Sequence, residues 1–167
     1  YRLLVATEKR ESLFSGYPGH ILAVVIGGSL CISLVMMVVP PLLPAIIADL
    51  GISSGQAGLV MTVWWLAVAF FNMPGGRLTD ELSHKTGLVV GLATAFLGLV
   101  ILTQSSRYLL LLLGVATVGI GRGFYQPTAI AQIADLFDRQ RGQALGLRGA
   151  ALNFGGVISG VLAASVL

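Results

Sequence analysis

Residues 74–85 read Pro-Gly-Gly-Arg-Leu-Thr-Asp-Glu-Leu-Ser-His-Lys, with a long apolar run on either side. In a chain that is 56% hydrophobic and 10% charged, a stretch gathering Arg77, Asp80, Glu81, His84 and Lys85 marks a turn out of an apolar environment. Soluble domains carry about 25% charge. A mean hydropathy of +0.90 leaves too few polar residues to coat a water-soluble core. The apolar runs are about as long as a helix needs to cross ~30 Å of hydrocarbon. Barrel strands would be ~10 residues long and would alternate polar with apolar side chains, which nothing here does. In lipid the backbone must satisfy its own hydrogen bonds, which leaves helices. The expected fold class is an all-α membrane protein.

Outward from this turn the sequence divides readily. A helix over 56–73 precedes it and one over 86–103 follows it. The first helix is expected over 21–48, distorted in its last third, where Pro40, Pro41 and Pro44 each remove a backbone donor. A tight loop at 104–106 leads to a fourth helix over 107–134. A second charged loop, 135–142, leads to a fifth helix that runs from 143 to the end of the chain. Residues 1–20 form a polar lead on the cytoplasmic side, and 21–167 form the membrane unit. The first apolar run is far too long for a cleavable signal peptide.

Orientation follows from the basic residues in short loops. With the N-terminus inside, Arg2, Lys9, Arg10, Arg77, Lys85, Arg139 and Arg141 all lie in the cytoplasm, and Arg148 enters helix 5 from that side. The outer loops hold Arg107 alone. A multi-pass protein of the plasma or bacterial inner membrane is expected, with the lipid bilayer as its surroundings. The net charge of +3 comes from these scattered residues rather than from a patch, so nucleic acid is not an expected partner. The single cysteine, Cys31, reads as a small packing residue. Gly87, Gly91 and Gly98 share one face of helix 3, and Gly156 and Gly160 one face of helix 5. Small residues in those positions let helices approach closely where lipid gives no hydrophobic drive.

Three motifs in order give the chain a family likeness. Leu43-Pro44-Ala45-Ile46-Ile47-Ala48-Asp49-Leu50-Gly51-Ile52-Ser53 is similar to the first outer loop of the major facilitator superfamily. Gly76-x-Leu78-x-Asp80, ending in Lys85, resembles that family's signature loop between helices 2 and 3, Gly-x-Leu-Ala-Asp-Arg-x-Gly-Arg-Lys. Glu81, Ser83 and His84 depart from it. Gly119-Ile120-Gly121-Arg122-Gly123-Phe124-Tyr125-Gln126-Pro127 resembles the glycine-rich run of helix 4. Ala134-Asp135-Leu136-Phe137 with Arg139, Arg141 and Gly142 resembles the loop after it. Val115 stands where the family often has Arg, and Ser159-Gly160 lacks the proline of the proton-antiporter subset. The resemblance implies the first five membrane helices of a twelve-helix carrier, cut within helix 5, whose C-terminal half is the absent partner. Two halves of such a carrier rock around a midplane site.

Arg122 is the sharpest candidate for solute contact. It follows Arg107 by 15 residues, ~22 Å along a helix, which places it near mid-membrane. A central Arg costs roughly 2.5–3.5 kcal/mol to insert, so a polar environment must offset it. Tyr125 and Gln126 are expected to share its face, offering a hydroxyl and an amide beside the guanidinium. That combination suits an organic or inorganic anion. The alternative role is a structural partner for an acidic residue elsewhere in the protein. A polar stripe on helix 2, running Gly58, Thr62, Trp65, Ala69, Asn72 and Gly76, lines a cavity or packs closely against another element. Trp64 points away from it. Asn153 and Gln132 are further polar candidates, read first as links between helices.

The resemblance implies a gating role for Gly76, Asp80 and Lys85, with Arg139 and Arg141 available on the same side to pair with Asp80 or Glu81. The alternative is a solvated loop whose charges only set topology. The helices carry no Ser/His pair, no paired Asp and no metal-ligand spacing, so enzyme activity, a metal and a cofactor are not expected. The functional expectation is a secondary transporter of a small solute, with anions favoured. A drug or metabolite exporter and a non-transporting scaffold or sensor are the alternatives.

Overall fold

Residues 16–81 and 83–166 are described in the computed structural model. The helices are α1 (Gly16–Leu50), α2 (Ser54–Glu81), α3 (His84–Thr103), α4 (Tyr108–Leu136) and α5 (Arg141–Val166). All five are long and apolar enough to cross a membrane. The helical expectation therefore holds, with corrected boundaries. α1 contains Pro40, Pro41 and Pro44, as expected, and extends from Gly16 to Leu50, beyond the expected 21–48 at both ends. More consequentially, 74–81 is helix rather than turn: α2 passes through Pro74 and stops only at Glu81.

The ends of the helices are explained by local chemistry. α1 closes at Gly51, whose φ of 61° is the left-handed conformation that glycine adopts without strain. The Ile52 amide then donates back to the Ile47 carbonyl at 3.3 Å, satisfying one of the last free acceptors of the helix. Ser53 and Gln56 cap α2 reciprocally: the Ser53 amide donates to Gln56 Oε1 at 2.8 Å, and the Gln56 amide to Ser53 Oγ at 3.2 Å. Ser83 caps α3 by accepting from the Thr86 amide at 3.2 Å.

Packing is organised around α4, which lies against both α2 and α3, while α1 pairs with α5. The glycine-rich run makes this possible. Gly119 and Gly123 face α2, beside the Trp64 carbonyl and Phe71, whereas Gly121 faces the α3 backbone at Gly91 and Ala95. A Cβ at Gly121 would fall 2.6 Å from the Gly91 carbonyl oxygen. The helix 3 glycines behave as expected: Gly87, Gly91 and Gly98 are all buried. In α5 the close contact falls instead on Gly155, against Ser33 and the Leu30 carbonyl of α1. Gly156 has only ordinary contact, with Met37, and Gly160 has open space.

Two apolar cores result. One joins Leu22, Val25, Ile32, Leu88, Tyr125, Ala129 and Ile133 near the start of α1 and the end of α4. The other joins Val60, Trp64, Val68, Ala95, Leu111, Val115 and Val118 toward the opposite ends. Trp64 thus packs inward on α4 and is buried, while the stripe containing Trp65 lies on the opposite, largely exposed side of α2. Among the described residues that stripe does not form a close-packed interface.

Candidate functional site

The α4 backbone is held from both sides by helices seated on its glycines. That support fixes where Arg122, between Gly121 and Gly123, must start. Its side chain leaves toward α1 and α2. Nε donates to Gln126 Oε1 at 3.3 Å, one helical turn on. A terminal nitrogen donates to the thioether sulfur of Met36 on α1. The guanidinium carbon lies 5.7 Å from the centre of the Trp65 ring, within the range of a cation–π interaction. Arg122, Gln126 and Trp65 are candidates by sequence; Met36 is not. Among the described residues no carboxylate meets this guanidinium.

Tyr125 does not join that group. It is 2% exposed and turned into the core. Its hydroxyl donates to the Val25 carbonyl at 2.7 Å and lies 3.3 Å from Ser29 Oγ. Three residues of helix rotate it about 60° away from Arg122, and at that angle α1 receives it nearer its own N-terminal end. Gly28 leaves the room it needs: a Cβ there would stand 2.6 Å from the Tyr125 hydroxyl.

The Tyr125 site holds a residue that the sequence does not mark as a site residue. Arg148 of α5 is 8% exposed, and its Nε donates to Ser29 Oγ at 3.1 Å. Loop-charge reasoning uses it only for orientation. A signal exists nonetheless, since Arg148 is set between Ala144-Leu145-Gly146-Leu147 and Gly149-Ala150-Ala151-Leu152, as apolar a setting as that of Arg122.

The remaining candidates are dispersed. Asn72 is half-buried on α2, seven residues beyond Trp65, and makes no hydrogen bond to Arg122 or Gln126 among the described residues. Asn153 bonds within its own helix, donating to the Gly149 carbonyl at 3.1 Å, and is exposed, so among the described residues it does not link helices. Gln132 keeps a buried Oε1 without a hydrogen-bond partner among the described residues. At the other end of the bundle, the close contact of α2 with α4 is made by Gly75, against Gly123 and Phe124. A Cβ at Gly76 would meet nothing. Asp80 lies in the last turn of α2, but its side chain is outside the described residues. Lys85, Arg139 and Arg141 are exposed. At this end His84 Nε2 lies 3.1 Å from Asp135 Oδ2, a contact that ties the start of α3 to the end of α4.

A cavity of about 810 Å³ lies elsewhere, between α1, α3 and α4, with Leu42, Ile46, Leu102, Leu111 and Val115 in its wall and Asp49 among its few polar residues. It does not contain Arg122.

Residues 25–167 match the family model described as Major Facilitator Superfamily. The probable vesicular acetylcholine transporter-B of Danio rerio is 30% identical over 149 residues, covering 83% of this chain and 30% of that protein. The puromycin resistance protein pur8 of Streptomyces alboniger is 30% identical over 148 residues, covering 87% and 29%. The quinolone resistance protein NorA of Staphylococcus aureus is 26% identical over 119 residues, covering 71% and 31%. The chain thus spans about three-tenths of the length of these relatives.

Proposed function

Because this chain belongs to the Major Facilitator Superfamily, we propose that it supplies the first five membrane helices of a secondary transporter that moves a small anionic solute by alternating access. One observation carries the reading. Arg122 lies midway along an apolar helix and, among the described residues, is hydrogen-bonded to an amide and a thioether and rests near an aromatic face. A guanidinium at that depth favours an anion, which it can grip with two parallel hydrogen bonds. Trp65, 48% exposed, offers a flat apolar surface beside it, suited to the organic part of such a solute. In this reading the N-terminus is cytoplasmic, the protein sits in the plasma or inner membrane, and Asp80 with Lys85, Arg139 and Arg141 belongs to the cytoplasmic gate.

The test is uptake by the full-length protein in liposomes, against a panel of anions, cations and neutral solutes. Anion uptake should fall at least tenfold in Arg122→Gln, the equivalent of about 1.4 kcal/mol. Arg122→Lys should retain part of it, because charge survives while the two-pronged geometry is lost. Transport of cations alone, or normal transport by Arg122→Gln, would overturn the anion reading.

Export of a drug or metabolite is the second reading. It is favoured by the relatives named for puromycin and quinolone resistance and by the apolar cavity with Asp49 in its wall. Its mark would be transport of bulky apolar or cationic compounds that survives Arg122→Gln.

A further inference from the structure

Arg148 is better buried than Arg122, and the proposed grip on the solute makes no use of it. Its position is set by α1. Ser29, Ser33 and Met36 recur at steps of four and three and so lie on one face of that helix. Ser29 meets Arg148, Ser33 donates to the Leu152 carbonyl of α5, and Met36 meets Arg122. The two arginines therefore stand along one seam, separated by about 10 Å of helix at 1.5 Å per residue.

Nε of Arg148 is occupied by Ser29, whose oxygen is steadied in turn by the Tyr125 hydroxyl. Its terminal amino groups bond to no other described residue, yet they are not sealed away from the surroundings. The described acidic residues Asp49, Glu81, Asp135 and Asp138 all stand at or beyond helix ends. Two cations thus share one seam about 10 Å long, and among the described residues neither meets a carboxylate. An isolated charge removed from water is costly unless paired. A solute with one acidic group would leave one of them uncompensated.

We propose that Arg148, positioned by Ser29, forms a second acid-binding subsite, so that the solute carries two acidic groups, as a dicarboxylate does. This rests on the reading of Arg122 as the first subsite.

The experiment compares linear dicarboxylates of increasing chain length with their half-amides, in which one acid is neutralised. Binding to the purified full-length protein is measured by thermal shift and by competition for uptake. At the favoured length the dicarboxylate should bind at least about tenfold tighter than its half-amide. Arg148→Gln should remove that advantage and leave the half-amide affinity where it was. Equal binding of the two ligands by the unsubstituted protein would overturn the second subsite, and this arm needs no variant to fold. Equal weakening of both ligands in Arg148→Gln would likewise overturn it, by making the residue structural. If half-amides bind and depend on Arg122 but gain nothing from a second acid, only Arg148 loses its role. If no acid of either kind binds, the Arg122 reading falls as well.

Discussion

Arg122 and Tyr125 show how far three positions on a helix can separate two roles. Arg122 reaches Met36 and Trp65, at the open side of α2. Tyr125 locks into a buried hydrogen-bond group with Val25 and Ser29. Its primary contribution is therefore to hold α4 on α1. Tyr125→Phe should lower stability by about 1 kcal/mol, the usual net worth of one hydrogen bond. The Val25 carbonyl keeps its place in α1, so the loss should stay at the low end. Thermal unfolding of the detergent-solubilised protein measures it, and an unchanged midpoint would remove the bond from the energetic account.

At the scale of elements, α4 is clamped because its glycines are divided between two neighbours. Gly119 and Gly123 serve α2, and Gly121 serves α3. In lipid, where apolar surface gains little by leaving its surroundings, this closeness of backbones is a main source of helix association. Gly121→Ala should therefore be destabilising by roughly 1–3 kcal/mol, the range for overpacking, since the new methyl meets backbone that cannot swing aside. Gly76→Ala is the contrast. Nothing lies within 4 Å of the place its methyl would take, and alanine is the better helix former by about 1 kcal/mol. Folded yield and thermal midpoint should drop for the first substitution and hold or rise for the second. Equal effects would mean that the glycines act through flexibility instead of contact.

For the whole molecule, two proposals concern how the bundle sits and moves. The basic loop residues motivate a cytoplasmic junction between the end of α2 and Ser83 at the start of α3, and an external 104–107 connection. Single cysteines at Ser83 and Ser105, in a Cys31→Ser background, should react with an impermeant maleimide from inside and from outside respectively. The reverse pattern would invert the topology. Asp80, which matches the family's signature loop, is assigned to the gate rather than to the solute. Asp80→Asn should slow turnover severalfold with little change in apparent affinity for solute. A strong loss of affinity at unchanged maximal rate would move Asp80 into the binding site. The His84–Asp135 pair spans α3 and α4 at the same end, but it is partly exposed and contributes at most about 1 kcal/mol.

Helix number, membrane insertion and family were legible in the residues themselves, because lipid imposes its conditions locally: a backbone with no water must bond to itself, and each apolar run answers that alone. The place of Arg122 midway along its helix and the shared face with Gln126 were equally local, being a matter of spacing along one helix. What the fold added depends on contacts between distant segments. Sequence spacing does not say whether a helix continues past Pro74 and Gly75; the seat of Gly75 on Gly123 and Phe124 accompanies that continuation. It separates Trp64 from Trp65 but does not say which of their faces is open; α4 decides that by covering Trp64. Least of all does it name the partner of Arg148: the apolar flanks hint at burial, but Ser29, which orders the side chain, lies 119 residues earlier in the chain. The direction of a side chain around its helix is decided by which neighbour offers a partner and which offers a clash, and that choice exists only after the helices have met.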